Sequence, residues 1–293
     1  MNSFALYLMG KKGLSCLEAV LESSTANLKY VVYATDSAVE NDYSEEIKNT
    51  CLSNNIAIVH RTEFDKNQLE EADYYIAISW RWLINCDLNK LIVMHDSILP
   101  KYRGFNPLVS ALINGDDKIG VTAILANEEF DRGDIIGFKS AEIEYPIAIA
   151  SAIEIVSQCY QELLLDIVSN INSSSLIGKK QNEAEASYSL WRDEEDYFLN
   201  WNLDAPTIER TVNALGFPYG GARTHMDNHT IIINEAKALD DVTIVNRENG
   251  KFLFMEKGCP VVVCGEGLLK IEKATYLETN EPVEFNKFRT RLK

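Results

Sequence analysis

The chain is poor in several things whose absence narrows its function. None of its 293 residues falls in a stretch approaching the roughly 20 consecutive apolar residues that a membrane-spanning helix needs. The apolar run Phe4–Met9 is short and has no basic segment before it, so it reads neither as a secretion signal nor as an anchor. A cytoplasmic protein is the expectation. The six cysteines, Cys16, Cys51, Cys86, Cys159, Cys259 and Cys264, include no CxxC pair, which argues against a zinc ribbon or a disulfide frame and suits buried thiols in a reducing compartment. Positive charge is also scarce: 28 Lys and Arg face 44 Asp and Glu, a net charge of −16. Nucleic-acid affinity rests largely on cations replacing condensed counterions, and the only basic clusters here are Lys11-Lys12, Lys179-Lys180 and Arg289 to Lys293, none interleaved with aromatics. A nucleic-acid partner is therefore not expected.

What is present is globular: 46% hydrophobic residues, 25% charged and only seven prolines. The length allows a large domain plus a smaller one, each with its own core. Strand Phe4–Met9, the turn Gly10-Lys11-Lys12-Gly13 and a helical pattern from Leu14 to Leu21 open an α/β domain. The turn is neither GxGxxG nor a P-loop, so its lysines are either solvated surface or face substrate phosphates at the helix start. Further strands are expected at Tyr30–Ala34, Ile56–Val59, Tyr74–Ser79, Leu91–Met94 and Ile119–Leu125, with short ones at Asp134–Phe138 and Ala141–Ile143. Helices are expected from Asp42, over Asn106 to Ile113, and from Ile147 to Ile171. Polar residues from Asn172 to Glu183 read as a linker. Beyond them comes a helix at Thr207–Leu215, then short strands at Thr230–Ile233, Val242–Val245, Phe252–Met255, Val261–Cys264 and Leu268–Ile271, a pattern that suits a small β-barrel. His225-Met226-Asp227-Asn228-His229 has metal-like HxxxH spacing but falls on a hairpin turn, where two imidazoles need not share a face; no metal site is expected.

The most specific stretch is Leu91–Ile136. An apolar run ends on His95, then Asp96-Ser97-Ile98-Leu99-Pro100-Lys101-Tyr102-Arg103-Gly104 follows, and 36 residues after the histidine comes Asp131-Arg132-Gly133-Asp134. It resembles the active-site core of the formyltransferases that use 10-formyltetrahydrofolate, whose signature is Asn-x-His-x-Ser-Leu-Leu-Pro-x-x-Arg-Gly followed by Asp-x-Gly-Asp. The chain departs from it at Val93, where the family has asparagine. The resemblance implies a Rossmann-like, mainly parallel α/β catalytic domain over residues 1–178 and an OB-like β-barrel over 179–293. It implies that His95 and Asp131 are catalytic. It places Trp80, Arg81, Trp82 and Leu83, with Ser97, Ile98, Leu99, Pro100 and Asp134, against the folate cosubstrate. Lys11, Lys12, Tyr102, Arg103 and Asn106 would face the acceptor. Asp134 has a plainer reading as a turn residue capping backbone N–H groups, Asn106 as a helix N-cap before Pro107, and the two tryptophans as core.

Formyl transfer needs a proton acceptor near the attacking amine, donors aimed at the oxygen that turns anionic, and a proton for the departing nitrogen. Histidine, with an unperturbed pKa of about 6.5, suits that work, and a bonded aspartate fixes its tautomer. In the family the missing asparagine donates to the formyl oxygen, and valine cannot. Among acceptors, the acidic composition, the lack of a basic insertion near Thr35–Glu45 and the segment Asn41-Asp42-Tyr43, typical of the sugar enzymes, favour a nucleotide-linked amino sugar used in bacterial polysaccharide biosynthesis. Methionyl-tRNA is the alternative acceptor, and a folate- or sugar-nucleotide-binding protein without turnover is the other. A homodimer is compatible with the resemblance.

Overall fold

The computed structural model describes residues 1–23, 26–65, 70–173 and 176–293, and among them two compact units. The first comprises 1–108, 118–143 and 151–190; the second comprises 109–117, 144–150 and 191–293.

The first unit opens with β1 (Phe4–Leu8), α1 (Gly10–Glu22), β2 (Leu28–Tyr33), α2 (Ser44–Ser53), β3 (Ala57–His60), β4 (Tyr74–Ile78) and β5 (Leu91–His95). The two-residue strand β6 (Arg103–Gly104) leads to α3 (Pro107–Asn114), which is followed by β7 (Lys118–Leu125), β8 (Ile135–Glu142) and α4 (Ile149–Ser173), and then by the two-residue β9 (Tyr188–Ser189). The sheet order is β3-β2-β1-β4-β5-β7-β8: the first five strands are parallel, β7 runs antiparallel to β5, and β8 antiparallel to β7. Strands covered on both faces need apolar side chains throughout, and β1 (FALYL) is buried at every position. The order reverses between β1 and β4, and in such sheets the crevice outside the carboxyl ends of the strands there receives ligands. Three segments leave strand ends at that edge: Gly10–Lys12 after β1, Ser79–Leu83 after β4, and His95–Asp96 closing β5. Among the described residues no helix is long and apolar enough to cross a membrane.

The second unit contains α5 (Ala205–Leu215) and an antiparallel sheet of β10 (Ala222–Met226), β11 (His229–Leu239), β12 (Phe252–Glu256), β13 (Cys259–Val263) and β14 (Leu268–Tyr276), in the order β10-β11-β14-β13-β12. Helix α5 starts cleanly because the Asp204 carboxylate accepts from Thr207 N at 2.8 Å and Pro206 fits the first turn. The last residues reach both sheet edges. His225 and Lys293 exchange backbone bonds of 2.9 and 3.1 Å, while Thr290 and Leu292 bond Phe252 and Gly250 at 3.1 and 2.8 Å. The C-terminal segment thereby links the end of β10 to the start of β12 and pairs part of each edge.

Three expectations are corrected. Asp134–Phe138 and Ala141–Ile143 are not a pair around a turn but parts of the single strand β8, registered against β7 from Lys118↔Glu142 to Ile124↔Ile135. Its alternating exposure, with Lys139 and Ser140 next to Gly137, imitates a turn composition. Val242–Val245 forms no strand, and Val242 and Val245 are exposed. The neighbouring Arg247 holds that loop through the Cys264 carbonyl at 2.7 Å and an ion pair with Asp241. The expected linker is the third. Ser174 and Ser175 lie outside the described residues, but Lys179 exchanges two 2.8 Å backbone bonds with Ile135, and Gln181 and Glu183 bond the loops around His95.

Candidate active site

His95, the last residue of β5, is 8% exposed. Its Nδ1 lies 3.4 Å from Asp131 Oδ1, and its Nε2 lies 2.8 Å from the carbonyl oxygen of Tyr102. A carbonyl only accepts, so Nε2 carries hydrogen. The mobile proton of this ring is then the one at Nδ1, between the imidazole and the carboxylate. The other oxygen of Asp131 accepts from Gly104 N at 2.8 Å, which turns the carboxylate edge toward the ring. The DRGD and RG motifs thus meet at one histidine.

Two motif glycines are steric requirements. A Cβ on Gly133 would lie 1.8 Å from the Leu125 carbonyl oxygen, inside the contact that lets the loop after β7 fold back. Gly104 has a φ of 102°, and its Cβ would meet the Ser189 carbonyl oxygen at 2.4 Å.

Arg103, placed at the acceptor by resemblance, is 1% exposed and works inside the protein. Its guanidinium grips Glu183 at two oxygens, 2.7 and 2.9 Å away, and donates to Gln181 Oε1 at 2.8 and 3.1 Å. The Gln181 amide in turn donates to the carbonyls of Asp131 and Gly133 at 2.8 and 2.9 Å. A planar fork that binds a carboxylate through two parallel bonds fixes geometry as well as charge. Gln181 and Glu183 carry no sequence signal beyond their polarity, so the reading of that stretch as linker missed them.

The other predicted residues divide. Ser97 is 4% exposed and donates to the Lys101 carbonyl at 2.6 Å, while Thr122 bonds both Ser97 O, at 2.7 Å, and Leu99 N, at 3.0 Å. These bonds build the turn that carries Ile98, Leu99 and Pro100. Asn106 stands at a left-handed φ of 49° immediately before α3, and Asp134, half-buried, accepts from Leu125 N through its carbonyl at 3.0 Å. Lys11 pairs with Glu154 at 3.4 Å and lies 5.6 Å from the Tyr43 ring centroid. Lys12 turns inward onto Asp96.

After β4, Trp80 sits edge-on to Tyr7 and to Trp82, with centroids 5.3 and 5.2 Å apart, and Arg61 lies 4.1 Å over the Trp82 ring. Arg81 forms an ion pair with Asp36, and Leu83 is exposed. Two buried polar atoms here, Ser79 Oγ and Trp80 Nε1, have no hydrogen-bond partner. An apolar wall with two orphaned polar atoms within it fits a flat heteroaromatic ligand with a hydrogen-bonding edge. His225 stacks on Phe198 and His229 meets Tyr276 edge-on, and among the described residues no cluster of three or more side chains forms a metal site.

Comparison with known proteins agrees with this arrangement. Residues 47–154 match the formyl transferase domain and residues 192–290 the formyl transferase C-terminal domain. A methionyl-tRNA formyltransferase of Pseudoalteromonas translucida is 26% identical over 256 residues, which is 84% of this chain and 79% of that one. Among solved structures, a sugar 3N-formyl transferase crystallised with dTDP and 5-N-formyl-THF superposes with a TM-score of 0.68 at 17% identity, over 98% of this chain and 99% of that one. The methionyl-tRNA formyltransferase of Clostridium thermocellum superposes with a TM-score of 0.56 at 17% identity, over 81% and 93%. Both family domains match in order and together span most of the sequence, with the motif histidine and aspartate side by side at the sheet edge: the chain belongs to the formyltransferase family, enzymes that transfer formyl groups.

Proposed function

We propose that this enzyme transfers the formyl group of 10-formyltetrahydrofolate to the amine of a nucleotide-linked amino sugar. The folate supplies a one-carbon unit at the formyl oxidation level. The wall of Trp80 and Trp82, with Ser79 Oγ and Trp80 Nε1 awaiting partners, is the place we assign to its pterin ring. His95, held by Asp131 at Nδ1 and by the Tyr102 carbonyl at Nε2, is the side chain we assign to take the proton of the attacking amine. Asp131 orients the ring and stabilises its charged form, and the Gly104 N–H fixes Asp131. Arg103 acts at one remove, by holding Gln181 against the loop that bears Asp131.

The observation that carries the choice of acceptor is the net charge of −16 without a concentrated basic patch. A tRNA binder depends on Lys and Arg to displace counterions, whereas a nucleotide-linked sugar presents only two phosphates. The second reading, formylation of methionyl-tRNA, is favoured by the name of the Pseudoalteromonas relative. The two are separated by incubating the protein with 10-formyltetrahydrofolate and either a panel of nucleotide-linked amino sugars or methionyl-tRNA at physiological salt. We expect a formylated sugar and no formylated tRNA. A tRNA product formed as fast as any sugar product reverses the assignment.

A further inference from the structure

Lys12, Asp96 and Tyr160 form a cluster that begins at the residue after His95, with Tyr160 buried and Lys12 and Asp96 half-buried. Lys12, in the first turn of α1, is ion-paired with Asp96 Oδ2. The Tyr160 hydroxyl, from α4, bonds Asp96 Oδ1 and lies 3.0 Å from the Met94 carbonyl oxygen. Lys12 Nζ is 5.9 Å from the Tyr160 ring centroid, and Tyr160 is fully buried. Burial alone would raise the Asp96 carboxyl, but the Lys12 charge, the hydrogen bonds of Lys12 and Tyr160, and His95 together bring it below the usual carboxylate range. Burial and the adjacent Asp96 push the Tyr160 hydroxyl well above its ordinary value. Asp96 is therefore the anion, Lys12 the cation and Tyr160 a neutral donor.

Asp96 follows His95 directly in the chain. An uncompensated carboxylate at that position would favour imidazolium and compete with Asp131 for control of the ring's proton. We propose that Lys12 is a positioning residue that neutralises Asp96 and leaves the protonation of His95 under the control of Asp131. The inference rests on the proton-handling role assigned to His95 above. The titratable groups around the ring are Asp131 on the loop after β7, Asp96 on its own strand end with Lys12 of α1 paired to it, and Tyr160 of α4. Cys16 of α1 lies behind Tyr160, and burial raises its thiol above the ordinary range.

The charges dictate opposite signs for the two partners. Lys12→Met leaves the Asp96 carboxylate, which acts on His95 through space, without its counter-ion and raises the pH at which His95 loses its proton. Asp96→Asn leaves a bare ammonium and lowers it. The double variant removes both charges and returns it toward wild type. The probe is the imidazole titration followed by NMR, with the His95 signal among the four histidines identified by its disappearance in His95→Asn. The signal needs no acceptor, so failure to find a sugar substrate leaves this test intact. We expect displacements of about 1 pH unit in opposite directions. Lys12→Arg should keep the wild-type midpoint, as should Tyr160→Phe, which preserves both charges. If Asp96→Asn does not fold, Lys12→Met against Lys12→Arg decides. Equal midpoints for those two, shifts of the same sign in Lys12→Met and Asp96→Asn, or a Tyr160→Phe shift as large as that of Lys12→Met overturn the proposal.

Discussion

Restoring the family's asparagine by Val93→Asn is the most informative single change. Val93 sits in the middle of β5, paired with Ala77 of β4 and Ile124 of β7. By strand alternation its side chain shares a face with Leu91 and His95, and it packs half-buried on a cluster that includes Ala77, Leu91, Trp80 and Ala126. An amide placed there loses about 1 kcal/mol of apolar burial, and a buried amide left unpaired costs about 1–3 kcal/mol more. The sum, about 2–4 kcal/mol, corresponds to a drop in Tm of roughly 4–16 °C for a unit of this size. If the valine had simply crippled the enzyme, asparagine would return the roughly 10²–10³ in rate that one oxyanion donor is worth. We expect no such gain. The motif's surroundings are too tightly fitted for a disused site: Gly133 against the Leu125 carbonyl, Gly104 N on Asp131, and Arg103 locked to Glu183. On this reasoning another donor serves the oxygen, and we propose Asn106, at a left-handed φ of 49° just past Gly104, for that role. The assay is kcat/KM for sugar formylation together with a thermal melt. A tenfold or greater rise in kcat/KM, with wild type near background on its best acceptor, would refute this reasoning and favour a binding protein.

His95→Asn and Asp131→Asn should each reduce turnover by about 10²-fold or more, with the double variant no worse than the poorer single one, since the two side chains form one proton-handling unit. Steady-state rates against Tm, expected within a few degrees of wild type, check this; ordinary turnover in either variant removes the pair from the mechanism. Asp204→Ala should cost about 1 kcal/mol by uncapping α5. Burial raises the Asp204 carboxyl, but hydrogen bonds from Thr207 bring it below the usual aspartate range. A depressed native pKa stabilises above the unfolded-state value, so this contribution should be present near neutrality and fade as pH falls through the native value. Melts of wild type and variant that converge in acid support the cap; a gap that widens in acid contradicts it.

The parts of the fold that could be read in advance are those where one periodicity dominates. β1 and β4, and β5 up to His95, are apolar because both faces are covered, and α4 carries Val156, Tyr160, Leu163, Ile167 and Ile171 on one buried stripe. His95 and Asp131 were legible because their motifs are spelled in consecutive residues. The loss of legibility begins where a residue's role is set by a partner far along the chain. Gln181 and Glu183 belong to a polar run that looks like linker, yet their partners, Arg103, Asp131 and Gly133, are 48–80 positions away. Asp96 and Lys12 are separated by 84 residues, and no pattern in either stretch announces their ion pair. Arg103 was visible as a motif residue but not as a buried one, since sequence shows charge and not exposure.

Backbone strain links these hidden partners to the chemistry. Four non-glycine residues with left-handed φ bracket the site: Ser79 at 54°, Tyr102 at 58°, Asn106 at 49° and Asp131 at 56°. Each such residue costs on the order of 1–3 kcal/mol and persists only where its surroundings over-determine it. Two of the four deliver the atoms that touch His95: the Tyr102 carbonyl at Nε2 and the Asp131 carboxylate at Nδ1. Tyr102 is held by its N–H on Ser187 Oγ at 2.9 Å, and Asp131 by Gln181 on its carbonyl at 2.8 Å. Both restraints come from the stretch 181–188, and Arg103 ties that stretch down through Gln181, Glu183 and the parallel pairing of Arg103–Gly104 with Tyr188–Ser189. The imidazole is thus fixed by strained backbone, the strain is held by one segment, and a buried guanidinium anchors the segment. In this chain Arg103 is thus connected to His95 through Gln181, Glu183 and the segment they belong to.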